Sequence, residues 1–209
     1  MRINRHGFLV TSALVAISVL SWPLFAAAGA KDEREDATVR WDVVHFTSFA
    51  PPTFEKGGVA SAHANDGSTI MLTGSGTFEV GEPEEVTGGG MWATFGPSGS
   101  MTGKGTYKVR RLIRFDLAPG TIVGTPVVDH IGDKAAAHSG LAVLAISYSD
   151  GSHGVMVVSC DLPVGTPPSI FEGVTTSKGF VDYWNRVAPV ANVDGNRTAF
   201  HIGTREDEN

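Results

Sequence analysis

Turn-forming residues recur so often along this sequence that long helices have little room to form. Between the turns lie short runs rich in valine, isoleucine, threonine and aromatic residues, which favour β-strands. The turn signals include Pro51-Pro52, Gly57-Gly58, Asp66-Gly67, Gly88-Gly89-Gly90, Pro119-Gly120, Asp150-Gly151, Pro167-Pro168 and Asp194-Gly195. This pattern predicts an all-β fold of about nine or ten strands. At most, short helical turns fit at residues 130–138 and 168–173.

Two octets, TGSGTFEV at residues 73–80 and TGKGTYKV at residues 102–109, differ at only three positions. Alternate residues of each octet are apolar or glycine, as in a strand with one buried and one exposed face. Phe78 and Tyr107 should therefore both point inward. Glycine inside a strand marks a bend or the close approach of another backbone. Its repetition at matching positions favours a single-domain antiparallel barrel, calycin-like in shape, over a β-sandwich.

The octet pattern T-G-x-G-T-[FY]-x-V, within residues 68–117, resembles the small secreted barrels of the dirigent and allene-oxide-cyclase type. This resemblance implies a barrel shape and carries over no catalytic residue. The chain departs from the G-G-T-G-[KR]-F strand associated with dirigent proteins, since its nearest match runs from Thr87 to Trp92.

The first thirty residues have the three parts of an export signal. Arg2 and Arg5 give a positive start, Phe8 to Leu20 is mostly apolar, and Ala28-Gly29-Ala30 offers small residues for cleavage. This apolar run is too short for a membrane anchor, so we expect no integral membrane segment after cleavage and a secreted or periplasmic location. The predicted organisation is a signal peptide at 1–30, a charged disordered tail at 31–37, an all-β domain at 38–203 and an acidic tail at 204–209.

The formal net charge is −6, from 16 Lys and Arg against 22 Asp and Glu. Cleavage would remove two arginines and leave 14 cationic against 22 acidic side chains, a net charge of −8. This balance disfavours nucleic acid as a main partner, because phosphate binding relies on clustered cations. The single cysteine, Cys160, allows no intramolecular disulfide. It shares an apolar face with Met156 and Val158, which predicts an inert, buried thiol.

The densest group of potential metal ligands or acid–base residues lies between two predicted strands, at Asp129, His130, Asp133 and His138. Loops of this kind often carry functional groups. However, the spacing matches no zinc signature, and a solvated loop accounts for it. We therefore expect no tightly bound metal, no cofactor and no catalytic residue.

Arg111 stands out among the charged residues because strand alternation places it inward beside Tyr107. A buried guanidinium must be paired. Arg111 would therefore form an internal salt bridge, sit at the barrel rim, or anchor an anionic ligand inside the barrel. In the last case Tyr107 and Trp92 form aromatic walls, and the planar guanidinium binds a carboxylate through two hydrogen bonds.

These features favour a non-enzymatic binding protein for a small hydrophobic or weakly anionic molecule, or for a cell-surface component. One alternative is an enzyme of the cyclase or isomerase kind, which would use a barrel cavity with few polar groups. Another is a structural or interaction module with a packed interior. An open interior with converging polar groups would favour the binding protein or the enzyme, and a packed interior would favour the module.

Overall fold

The computed structural model describes residues 37–204, which form fourteen β-strands and no helix. The strands are β1 (Ala37–Phe49), β2 (Pro52–Lys56), β3 (Ala60–His63), β4 (Thr69–Leu72), β5 (Ser75–Glu79), β6 (Gly89–Phe95), β7 (Met101–Ala118), β8 (Val128–Asp129), β9 (Ala137–Tyr148), β10 (His153–Cys160), β11 (Gly173–Lys178), β12 (Val181–Tyr183), β13 (Asn185–Arg186) and β14 (Thr198–Thr204). The all-β prediction is confirmed, and the strand count exceeds the prediction partly because β8 and β13 have only two residues each. The described part of the chain holds no helix long and apolar enough to cross a membrane.

The ordered strands reach one residue beyond each predicted domain limit, since β1 begins at Ala37 and β14 ends at Thr204. The predicted signal peptide at 1–30, residues 31–36 of the charged tail and residues 205–209 of the acidic tail lie outside the described residues.

Six antiparallel strands close into a barrel in the order β1, β5, β6, β7, β9 and β14, with β14 returning to β1. Closure gives each of these strands a hydrogen-bonded neighbour on both sides, which removes the free edges of an open sheet. Beyond the barrel, β10, β11 and β12 continue the sheet from β9, and β4, β3 and β13 continue it from β6. The predicted antiparallel barrel is therefore confirmed.

The two octets provide matching inward faces, as strand alternation predicts. β5 carries the first octet, β7 carries the second, and β6 lies between them. Phe78 and Tyr107 are only 0% and 2% exposed. Lys108, the neighbour of Tyr107, is exposed to solvent. The prediction that Phe78 and Tyr107 both point inward is confirmed.

The repeated glycines make room for tryptophan rings and for neighbouring backbone. A Cβ atom on Gly76 would lie 2.3 Å from the carbonyl oxygen of Thr87 and 2.9 Å from Nε1 of Trp41. A Cβ atom on Gly103 would lie 3.1 Å from the Trp92 ring. These separations are shorter than ordinary van der Waals contacts. Each octet therefore uses a glycine to seat one indole against a strand.

The prediction that Arg111 faces the barrel interior is wrong, because β7 contains two irregularities in its pairing with β9. The register shifts between Val109 and Arg111, and again between Leu112 and Arg114. An extra residue in one strand reverses the face on which the following side chains lie. Val109 and Leu112 are consequently both buried, whereas Arg111 is exposed.

The first of these irregularities also moves one apolar side chain out of the core. Ile113, which lies after the first register shift and within the second, is 53% exposed. Leu117 is 42% exposed but lies on the same face as Phe115, and both line one pocket. Phe115 remains packed in the barrel, with its ring centroid 5.2 Å from that of Phe78 and 5.5 Å from that of Phe200. Exposing one aliphatic side chain costs less free energy than burying an unpaired guanidinium.

The later strands form the most thoroughly covered part of the sheet. Every residue from 141 to 148 is buried or half-buried, which agrees with a strand covered on both faces. On β10, Met156, Val158 and Cys160 are all 0% exposed. The Cys160 thiol donates to the carbonyl oxygen of Thr198 at 3.3 Å, and burial raises its pKa. The prediction of a buried, packed cysteine is confirmed.

Candidate functional site

The two aromatic residues predicted to line a ligand cavity are packed into the protein core instead. Trp92 and Tyr107 are 5% and 2% exposed. Nε1 of Trp92 donates to the carbonyl oxygen of Thr106 at 3.1 Å, and the Tyr107 hydroxyl donates to the carbonyl oxygen of Thr73 at 2.8 Å. The Tyr148 ring lies between them, with centroid distances of 5.8 Å to Trp92 and 6.3 Å to Tyr107. Burial raises the pKa of Tyr107, which keeps its hydroxyl protonated.

Arg111 does not join these aromatic residues. Its Nε lies 3.1 Å from Oε1 of Glu84 on the outside of the barrel, where the two side chains are 58% and 75% exposed. An ion pair this exposed contributes about 0–1 kcal/mol to stability. The structure therefore brings Trp92 and Tyr107 together through Tyr148, but it does not assemble the predicted three-residue site.

A groove of about 590 Å³ lies on the outer face of β4, β6 and β7. One row of outward residues across the sheet contains Met71, Ala93 and Lys104, and the next contains Met91 and Thr106. Met71 and Met91 are 36% and 61% exposed. The remaining lining comes from Val59, Leu72, Thr73, Trp92 and Gly105. The groove is thus an apolar depression on a face that strand alternation assigns to solvent.

The groove lining carries one cationic side chain although the whole chain is acidic. Lys104 is the single charged side chain of its lining, and it forms no ion pair with the described residues. β7 carries five cationic side chains and one acidic side chain, namely Lys104, Lys108, Arg110, Arg111, Arg114 and Asp116. Only two of these cations are in ion pairs with described residues, through Glu84 and Asp116. The charged side chains of β7 are therefore mostly cationic, in contrast to the net charge of −6 of the whole chain.

A single signal in the sequence pointed toward this groove. Met71 is an apolar residue on the otherwise polar face of its strand, and it breaks the alternation that its neighbours follow. Met91 has the same outward orientation on the adjacent strand. Because β4, β6 and β7 become neighbours only through long-range pairing, their outward residues could not be grouped from local spacing.

The four residues of the 129–138 segment do not converge on one point. The side chain of Asp129 is buried, while His130 is exposed. Asp133 accepts a hydrogen bond from the backbone N–H of Ala135 at 2.9 Å. Burial and the nearby His201 lower the pKa of His138. Within residues 37–204, no three His, Cys, Asp or Glu side chains are placed to hold a metal ion.

Asp129 instead pairs with a histidine that sequence reasoning did not single out. Its Oδ2 lies 2.7 Å from Nε2 of His201, and its Oδ1 accepts from the backbone N–H groups of Ile131 and Gly132 at 2.8 and 3.2 Å. Burial raises the pKa of Asp129, but these three hydrogen bonds outweigh it and hold the pKa below its ordinary value. A Cβ atom on Gly132 would lie only 2.6 Å from the His201 ring. The pair therefore clamps the loop onto β14.

A second, smaller pocket of about 310 Å³ lies beside β1 and β2. Its walls include Phe46, Phe54 and Leu162, and its polar groups include Glu172 and Arg197. Arg197 donates to three backbone carbonyl groups between residues 190 and 195. Its guanidinium also lies 5.0 Å from the Phe46 ring centroid. Arg197 is therefore committed to holding the local backbone.

The Glu172 carboxyl group is buried, and its oxygens are occupied by donors from two other segments. Oε2 accepts from the backbone N–H of Asp161 at 2.5 Å. Oε1 accepts two hydrogen bonds from Thr198, one from its backbone N–H and one from its hydroxyl group at 3.3 Å. Burial raises the pKa of Glu172 to about 8, despite these donors. The arrangement ties the loop before β11 to the start of β14.

No protein-family model, no curated protein and no solved structure matches this chain. The resemblance to dirigent and allene-oxide-cyclase barrels therefore supports only the shape of the barrel. The described residues form an all-β protein with a closed six-stranded barrel, and an apolar groove with one lysine lies on its outer face.

Proposed function

We propose that this chain is an exported, non-enzymatic binding protein whose groove on β4, β6 and β7 takes a small apolar molecule with an anionic group. The observation that carries this proposal is the composition of the groove, in which apolar side chains surround one cation, Lys104, that pairs with no carboxylate of residues 37–204. Ligand sites are typically concave, mostly apolar and about 300–1,000 Å³ in volume, with a few polar groups that orient the ligand.

The apolar part of the ligand would lie along Met71 and Met91. Methionine side chains are unbranched and polarisable, so they adapt to apolar partners of different shape. Exposing them to water is unfavourable, and covering them with hydrocarbon contributes about 25 cal/mol per Å² of apolar surface removed from water. Ala93, between the two methionines, leaves space for the ligand above the sheet.

The anionic group of the ligand would lie at Lys104. This lysine has no carboxylate partner among the described residues, so a ligand anion would not displace an existing ion pair. Lys108, four residues further along β7 on the same face, adds to the positive field. A cationic ligand of the same length would meet repulsion at this end of the groove.

Two further observations support an external site and a binding role. The interior residues predicted to form a cavity, Trp92 and Tyr107, have their polar atoms bonded to backbone carbonyl groups. Glu172, the group with the most strongly perturbed carboxyl pKa, has its oxygens occupied by protein donors. Neither arrangement leaves a free group for acid–base chemistry on a substrate.

The proposal is tested by calorimetric titration of the protein with dodecanoate and with dodecyltrimethylammonium. We expect binding of dodecanoate and little or no binding of the cation. Met91→Gln should weaken dodecanoate binding about tenfold, because an amide left without a partner costs about 1–3 kcal/mol when covered.

Lys104→Gln should weaken dodecanoate binding about two- to fivefold, as expected for one exposed ion pair. Lys108→Gln is the matched control, since it removes the same charge from the same strand outside the groove lining, and it should have a smaller effect. Equal losses for the two lysine variants would show that the groove does not place the anion. Equal affinity for dodecanoate and dodecyltrimethylammonium would overturn the charge preference.

A further inference from the structure

The thioether groups of this protein are unequally distributed between the groove and the core. Met71 and Met91 line the groove and are 36% and 61% exposed. Met101 pairs with Phe95 just beyond the groove and is 55% exposed. Met156, in contrast, is 0% exposed. The described part of the chain therefore presents two exposed methionine side chains at the proposed site, and Met156 serves as a buried reference.

Accessible thioethers are oxidised by peroxides in a two-electron reaction. A lone pair on Sδ attacks one oxygen of hydrogen peroxide, the S–O bond forms and the O–O bond breaks. The sulfide is oxidised to a sulfoxide, the peroxide is reduced, and water leaves after proton transfer. Cys160 does not compete for the oxidant, because it is 0% exposed and burial raises the pKa of its thiol.

We infer that Met71 and Met91 form an oxidative modification site in the groove, and that their conversion to sulfoxides releases the apolar ligand. The second part of this inference rests on the proposed function. A sulfoxide is polar and accepts hydrogen bonds strongly, whereas the groove offers few donors to it besides Lys104 and two threonine hydroxyl groups. Covering a sulfoxide with hydrocarbon would therefore leave its oxygen without water or a partner.

The modification site is tested first without any ligand. The folded protein is treated with hydrogen peroxide, and its methionine-containing peptides are quantified by mass spectrometry over time. We expect Met91 and Met101 to be oxidised first, Met71 next, and Met156 only after unfolding in urea. Oxidation of Met156 in the folded protein at the rate of Met91 would overturn the inference, as would protection of Met71 and Met91 while Met101 reacts.

The effect on binding is tested by titrating the oxidised protein with dodecanoate, with circular dichroism to confirm that it remains folded. Oxidation should weaken binding at least tenfold in the native sequence. In the double variant Met71→Leu with Met91→Leu, dodecanoate affinity measured before and after peroxide should differ by less than about twofold, whatever the affinity of the untreated variant. The Met101→Leu variant is the matched control and should remain sensitive.

Loss of dodecanoate binding in the oxidised double leucine variant would overturn the link between oxidation and release. Absence of dodecanoate binding before oxidation would contradict the proposed function and, with it, ligand release. The peptide map would still decide the modification site, so failures of the two proposals are distinguishable.

Discussion

Raising the pH should destabilise this fold through one buried group, the carboxyl group of Glu172. Its side chain lies in the protein with only 9% of the residue exposed. Burial raises its pKa from an ordinary value of 4.5 to about 8, although hydrogen bonds from Asp161 and Thr198 act in the opposite direction. The nearby charge of Asp161 also raises the pKa. The folded protein consequently binds this proton more tightly than the unfolded chain does.

The magnitude follows from linkage between proton binding and folding. Each unit of pKa difference corresponds to about 1.4 kcal/mol, so the shift from 4.5 to about 8 corresponds to roughly 5 kcal/mol. The raised pKa of an acid contributes stability that is complete below the unfolded pKa and is lost as the pH rises through the folded pKa. The contribution should therefore fall by about 1.4 kcal/mol per pH unit between about pH 5 and pH 8, and become constant above that.

The assay is equilibrium unfolding in urea at a series of pH values from about 5 to 9 for the native protein, Glu172→Gln and Glu85→Gln. The amide of Glu172→Gln cannot ionise, but its NH₂ group faces a backbone N–H donor, so this variant should be the less stable protein at pH 5. Between pH 5 and pH 9 the unfolding free energy of the native protein should fall by roughly 4 kcal/mol relative to that of Glu172→Gln. Glu85→Gln, at an exposed position, is the control for the effect of removing one carboxylate. This reasoning would be refuted if the difference in unfolding free energy between the native protein and Glu172→Gln did not change with pH.

Two further substitutions test the fold itself. Gly76→Ala should lower the unfolding free energy by about 3 kcal/mol, because its Cβ would lie 2.3 Å from the carbonyl oxygen of Thr87, whereas Gly96→Ala has no neighbour nearer than 3.6 Å and should be close to neutral in the same urea assay. Arg111→Met should change the unfolding free energy by less than about 1 kcal/mol and change dodecanoate affinity by less than about twofold, because the side chain is exposed and outside the groove lining. A large loss in either measurement would support the interior position of Arg111 that strand alternation predicts.

The fold class was predictable because it depends on local signals. Turn-forming dipeptides divide the chain into short segments, and alternation within each segment fixes which side chains face the core. Phe78 and Tyr107 illustrate this, since both are buried as predicted. The closed barrel was also predictable from glycines at matching positions of two strands, because close approach to a strand constrains its residues directly.

The orientation of Arg111 was not predictable, because it depends on a partner strand remote in sequence. The register shifts in β7 exist only relative to β9, whose residues come more than twenty positions later. A strand read alone gives no indication of where its partner skips a residue. The same limit applies to Asp129 and His201, which are 72 residues apart and meet only after β14 pairs with β1.

The second octet shows how one short sequence serves the core and the groove together. Its inward residues, Gly103 and Gly105, allow the Trp92 indole to lie against β7, at 3.1 and 3.0 Å from the positions that their Cβ atoms would occupy. Its outward residues, Lys104 and Thr106, line the groove. Because successive side chains of a strand point to opposite faces, these two roles can be altered separately. A larger residue at 103 would disturb packing of the indole and lower stability, whereas replacing Lys104 would change the charge of the groove and leave the core intact. The inward glycines that both octets share therefore explain the repeat. The charge of the groove is explained by Lys104, which lies between the two glycines of the second octet.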